Sequence, residues 1–157
     1  MKIRIIALAL IWLMAPVLHV AAQVQTNVQY AVKFICGKSE GTNTVLAPGQ
    51  YFTAINVHNP NRSTVEFRKK FAIALPGEKA GRVSKFFPAV LRPDEAFEID
   101  CLDIHRHTET VPGKFLKGFV VLESNMELDV VAVYTAAGRT KAVETLEIER
   151  VPARPIR

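Results

Sequence analysis

From Val28 to Val151 apolar and polar residues alternate in short runs, the period-two pattern of strands with one buried face and one wet face. The strongest stretch is Phe115 to Ala136, FLKGFVVLESNMELDVVAVYTA. It predicts two strands, Phe115 to Glu123 and Glu127 to Ala136, joined as a hairpin through Ser124, Asn125 and Met126. Leu116, Gly118, Val120 and Leu122 share one face of the first arm, and Leu128, Val130, Ala132 and Tyr134 share one face of the second. The opposite face is charged at its ends but apolar in the middle, at Phe119, Val121, Val131 and Val133. Two readings follow. Scattered surface apolar side chains are ordinary, whereas a contiguous patch marks contact with a partner protein or a second copy.

The same alternation predicts strands over Val28 to Cys36, Gln50 to His58, Thr64 to Leu75, Ala96 to Cys101 and Ala142 to Val151. In the last of these Leu146 and Ile148 are expected against the core. Lys69 falls on the apolar parity of its strand, which predicts a bulge or an edge position there. Arg82 to Leu91 is extended but carries Pro88, the mark of an edge strand or an irregular segment. Pro48-Gly49, Asn59-Pro60-Asn61, Pro76-Gly77 and Arg92-Pro93-Asp94 supply turn chemistry between the runs. Leu102 to Gly113 lacks periodicity and reads as a polar loop. With seven or eight short strands and no amphipathic helix, the expected fold is all-β. An antiparallel β-sandwich, immunoglobulin-like or jelly-roll-like, competes with a closed barrel.

The two ends of the chain carry different signals. Lys2 and Arg4 precede the apolar run Ile5 to Met14, and Val20-Ala21-Ala22 offers a small-residue cleavage site, so residues 1–22 read as a signal peptide. Pro16 and His19 interrupt the run and argue against an anchor helix. The chain is therefore expected to be exported, periplasmic or extracellular, with one domain over 23–151, a flexible basic tail over 152–157 and no membrane span after cleavage. An oxidising compartment favours a disulfide between Cys36 and Cys101; two free thiols are the alternative. Cleavage removes Lys2 and Arg4 and lowers the formal charge from +5 to +3, too little to predict nucleic-acid binding.

The runs FTAINVHNPN, VEFRKKFAIALP, AVLRPDEAFEIDCLDI and FVVLESNMELDVVAVYT resemble a family of small exported bacterial proteins without an assigned function. More distantly they are similar to the soluble sensory-rhodopsin transducer proteins. The resemblance spans roughly Tyr51 to Thr135 and rests on strand and turn residues. It implies a compact β-sandwich able to form oligomers, and it places no functional residue on this chain.

Candidate chemistry is sparse. Asp100, Asp103, His105, His107 and Glu109 form the densest polar cluster, and on a strand His105 and His107 would share a face as a Cu or Zn pair. A solvated loop is the competing reading. His58, Cys101 and His105 stand in the order of a blue-copper ligand set, but no Met closely follows His105 and Cys36 competes for the thiol. Arg68, Lys69 and Lys70 could bind an anionic surface polymer or simply form a solvated strand face. Nucleophile-elbow, zinc-protease and phosphate-loop motifs are all missing. The expected function is thus non-enzymatic binding or assembly without a cofactor, with periplasmic metal binding through His105 and His107 as the alternative.

Overall fold

The structure is a computed structural model that describes residues 26–41, 46–138 and 143–156. The signal peptide expected over 1–22 lies outside the described residues. In chain order the elements are β1 (Val28–Ser39), β2 (Gly49–His58), β3 (Val65–Leu75), β4 (Lys79–Val83), β5 (Phe87–Leu91), β6 (Ala96–Ile99), α1 (Cys101–Thr108), β7 (Leu116–Ser124), β8 (Asp129–Ala137), β9 (Val143–Arg150) and β10 (Arg154–Pro155). All the strand pairings are antiparallel. They form two layers. Layer A holds β3, β7 and most of β1, with β4 and β5 on the outer edge of β3 and β10 beside β1. Layer B holds β2, β8 and β9, with β6 beside β2.

One strand belongs to both layers. β1 pairs with β7 from Val28 to Cys36, then turns at Gly37 and pairs with β2 from Gly37 to Ser39. Gly37 has φ +89, and a Cβ there would stand 2.5 Å from the Lys114 carbonyl oxygen, so only glycine makes this turn unstrained. Hydrogen bonding along the full path runs β4-β3-β7-β1-β2-β8-β9 and does not close on itself, which makes the fold an open all-β sandwich rather than a barrel. Between the layers lie Tyr30, Val32 and Phe34 of β1, Ile55 and Val57 of β2, Phe67 and Phe71 of β3, and Val120, Leu122, Val130 and Ala132. Gly118 faces Phe34 across the β1–β7 pair, and a Cβ on it would meet the Phe34 ring at 2.8 Å.

Several sequence-based expectations are corrected here. The Phe115 to Ala136 stretch is no hairpin: β7 has β3 and β1 on its two edges, and β8 has β2 and β9, so the turn crosses between layers. The Tyr30 hydroxyl holds that crossing, accepting from the Leu128 N–H at 2.7 Å and donating to the Leu128 carbonyl at 2.9 Å. Lys69 causes no bulge, because β3 is paired in register on both sides there, with Phe87 and Leu122; its stem runs inward and its ammonium lies 5.3 Å from the Phe97 ring centre. The ladder irregularity of β3 sits further on, against β4, between Ala72 and Ala74. Pro88 does lie in an edge strand, β5. The residues 154–155 of the basic tail pair with β1 instead of hanging free, and the Ile156 N–H donates to the Asn27 carbonyl at 3.0 Å.

Where β1 swings from one layer to the other, its backbone needs partners that no strand supplies. Thr53 provides them: its hydroxyl accepts from the Ile35 N–H at 3.0 Å and donates to the Ile35 carbonyl at 3.0 Å. Thr53→Val keeps the shape but strips both bonds and leaves two buried backbone groups unpaired. It should lower unfolding free energy by about 2–3 kcal/mol, read by urea denaturation, with Thr53→Ser recovering most of the loss. A Val variant as stable as the parent would show that these bonds contribute nothing.

Candidate functional site

α1 replaces the polar loop expected over 102–113, and Cys101, expected to end a strand, opens the helix. Asp100 is the N-cap: its side chain accepts from the Asp103 N–H at 2.9 Å, while the Asp103 carboxylate accepts from the Asp100 N–H at 3.4 Å. This reciprocal capping box uses Asp where Glu is usual, which is why two short turns of helix escape a search for long periodicity. Arg106 adds a bond to Asp103 at 2.9 Å, and Glu109 closes the helix in the left-handed region at φ 55. The helix covers the mouth of the sandwich between β2 and β3, with Ile104 and Thr108 buried beneath it.

Cys36 and Cys101 form the expected disulfide, which ties β1 to the first turn of α1 with Cα atoms 5.6 Å apart. The Thr53 N–H also points at the Cys101 sulfur, 3.3 Å away. The bond closes a loop of 65 residues, worth about 4 kcal/mol in the chain-entropy account.

His105 is buried, and its proton can be placed. The Thr108 hydroxyl donates to the Ile104 carbonyl at 2.7 Å, so it must accept from Thr110 at 2.9 Å. The Thr110 oxygen, its own proton spent, then accepts from His105 Nδ1 at 2.7 Å. The lone pair therefore sits on Nε2, which is buried and has no protein partner. Burial holds this imidazole below its ordinary value of 6.5. His107 points elsewhere: its ring stacks on Phe71 at 5.0 Å and packs tilted against Phe87 at 4.2 Å, and burial followed by the nearby Lys69 charge lowers it too.

That geometry corrects the metal reading. On a helix, residues two apart lie on different sides, so His105 and His107 cannot form the one-faced pair a strand would offer. His58 sits at the end of β2 on the outer face of layer B, with Nδ1 3.4 Å from Asp129. Cys101 is committed to Cys36. Among the described residues no group of three or more His, Cys, Asp or Glu side chains is placed to hold a metal ion.

The four-residue apolar surface also divides. Phe119 and Val121 point out of layer A, while Val131 and Val133 point out of layer B, on the opposite side of the sandwich. Layer B carries the larger patch, and it includes residues the sequence reading put in the core. β9 pairs Leu146 with Thr135 and Ile148 with Val133, so both apolar side chains face outward, 61% and 66% exposed. Phe52, 49% exposed, and Ala54 continue the patch on β2. Beside it a groove of about 410 Å³ runs along α1, walled by Phe52, Ala54, Leu102 and Val133 and reaching down to Cys101 and His105. Every residue of β9 is exposed, and its far edge meets no other strand among the described residues.

Two measurements check this end of the molecule. Replacing both cysteines (Cys36→Ser, Cys101→Ser) should cost about 4 kcal/mol in urea unfolding, and a loss under 1 kcal/mol would rule out the clip as a main support. His105 is held below its unfolded value, so the unfolded chain binds its proton more tightly. The stability this neutral ring contributes is complete above 6.5 and drains away as pH falls toward the folded value. The urea midpoint should therefore drop between about pH 7.5 and about pH 5, less steeply in His105→Asn, which keeps the donor to Thr110 but cannot titrate. His107, shifted the same way, leaves a residual slope. Identical slopes in parent and variant would mean His105 does not titrate in this range.

No family model matches the chain, and no curated protein matches it. Among solved structures it is similar to the crystal structure of Thermotoga maritima 1070, at 12% identity over 81% of this chain and 93% of that one, with a TM-score of 0.52. At that identity the likeness concerns the fold alone, an open antiparallel all-β architecture shared by two sequences that have little else in common.

Proposed function

We propose that this chain is an exported, non-enzymatic assembly module that binds a second copy of itself through the outer face of layer B and the free edge of β9. The observation carrying this reading is the joint exposure of Leu146 and Ile148 on an edge strand whose outer side meets no other strand among the described residues. Soluble proteins normally blunt such edges or cover them. The flanking Phe52, Val131 and Val133 widen the apolar area beyond what a lone surface residue would give.

The sequence of β9, VETLEIER, suits a second copy. Antiparallel pairing about a two-fold axis at Glu147 sets Leu146 opposite Ile148 of the other chain, twice, and Glu144 opposite Arg150. Both apolar faces then become one continuous surface. Glu147 meets its own counterpart on the inner side of the strand, which is exposed and solvated, so the cost of that like-charge contact is small. Export is supported by the charged, apolar and small-residue segments before Gln23 and by a disulfide suited to an oxidising compartment.

Light scattering behind size exclusion tests the assembly. The mature chain should run as a dimer at about 50 µM, and Leu146→Glu combined with Ile148→Glu should give a monomer with unchanged circular dichroism, since both side chains are already in water. A parent protein that is monomeric at that concentration would sink the self-pairing.

A further inference from the structure

The outer face of layer A has a different chemistry from that of layer B. Cross-strand register places its side chains in rows. Arg68 of β3, Glu123 of β7, Gln29 of β1 and Arg154 of β10 form one row. Lys70, Val121 and Ala31 form the next, then Ala72, Phe119 and Lys33, and last Lys117 with Ile35. Five cations thus share one flat face with two carboxylates, Glu123 and, at its margin, Glu66. On layer B the outward charges include Glu98, Glu144, Asp129 and Arg150, and the last two are paired at 2.8 Å.

Three of the five cations of layer A, Arg68, Lys70 and Lys33, are held in place. Arg68 donates through Nε and Nη2 to the nearly buried Glu123 carboxylate at 2.9 and 2.7 Å. Its guanidinium and the Lys70 ammonium lie 4.1 and 4.4 Å from the centre of the Phe86 ring, and Lys33 lies 4.8 Å from that of Phe119. Lys70 reaches Glu123 only at 3.9 Å. Among the described residues, Lys33 and Lys117 have no carboxylate within ion-pairing distance. They repel each other across adjacent strands, and burial followed by that repulsion lowers Lys33. Anchored positive charge without a matching anion is a vacancy for an external one.

We propose that the outer face of layer A binds an acidic polysaccharide, whose carboxylates are taken by Lys33, Lys117 and Lys70 while the sugar rings lie along the sheet. Rows about 7 Å apart and strands about 5 Å apart put these charges roughly 9–15 Å from one another, a spacing that an extended chain of uronate residues can span. The sheet face suits an extended ribbon, and at its β1 margin Lys33 and Ile35 border a groove of about 330 Å³ that Glu147 and Glu149 also line, which leaves Lys117 and Lys70 as the cations furthest from any unpaired carboxylate. Single-stranded nucleic acid is a poorer fit, because it needs free aromatic faces for base stacking, and here Phe86 and Phe119 are capped by cations. A lipid surface needs apolar side chains standing proud of the charges, whereas Val121, Ala31 and Ala72 lie low between lysines and arginine.

Calorimetric titration with polygalacturonate is the test, with dextran, single-stranded DNA and phosphatidylglycerol vesicles as parallel probes. Binding to polygalacturonate is expected at about 20 mM salt and should weaken at least tenfold by about 0.5 M, as the screening length shrinks. Lys33→Ala combined with Lys117→Ala should weaken it about tenfold without moving the melting temperature, while Arg62→Ala with Arg106→Ala, an equal loss of charge elsewhere, should not. The proposal is overturned by absence of binding at low salt or by equal loss in the two double variants. It is equally overturned by DNA or vesicles binding as tightly as polygalacturonate, or by dextran doing so.

Discussion

The strand β1 cannot satisfy its own backbone within one sheet, and most of the molecule is arranged around that fact. It enters as an interior strand of layer A and leaves as an edge partner of β2 in layer B. Between those roles its free edge faces the gap between layers, where an unpaired carbonyl or N–H is expensive. Three hydroxyls help bind the layers together: Thr53 serves both groups of Ile35, Tyr134 lies 3.1 Å from the Lys33 carbonyl, and Tyr30 reaches across to Leu128. The disulfide at Cys36 comes one residue before the turning glycine and adds a covalent tie at the same place. Layer separation would break all of these together, so the two sheets behave as one body despite being open at both ends.

Parity was legible in the sequence for the strands that build the core and not for β9, and the layer to which each strand belongs was not legible at all. Val120 and Leu122 face inward, as do Val130 and Ala132, just as alternation requires. Alternation, however, reports only inside and outside. An Asn-containing turn serves a hairpin and a crossing between layers equally well, because both need a tight, polar reversal. The signal that distinguishes them here is the Tyr30 hydroxyl, a residue far away in sequence. The same limit misplaced Leu146 and Ile148. Apolar residues on alternate positions normally face the core, but the register of β9 with β8 sets Leu146 and Ile148 beside the outward Thr135 and Val133, and the whole strand is exposed.

The site region was legible in part. Cysteine count and compartment pointed to the Cys36–Cys101 bond, a pairing that the fold realises between β1 and α1. The helix itself was hidden by its length, since two turns carry too few positions to show a period, and its only local mark is the Asp100 and Asp103 cap. Missing that helix is what made His105 and His107 look like a ligand pair. Once wound, the segment sends one imidazole into a chain of threonine hydroxyls and the other into a stack with two phenylalanines. The two imidazoles therefore share no face. The sandwich is left with chemically distinct flanks: cationic on layer A and apolar on layer B.

The order in which the chain is synthesised gives the shared strand a kinetic meaning. β1 comes first among the described strands, yet its partners in β7 lie 80 to 96 positions later (Cys36 with Leu116, Val28 with Ser124), and β10, which also pairs with it, follows all the others. Early in folding a strand that supplies Tyr30, Val32 and Phe34 to the core therefore waits for its main partner. Loop closure over such separations is slow, so collapse must await distant pairings in place of growing from neighbours. A protein built this way is most exposed to misassembly before its second half arrives.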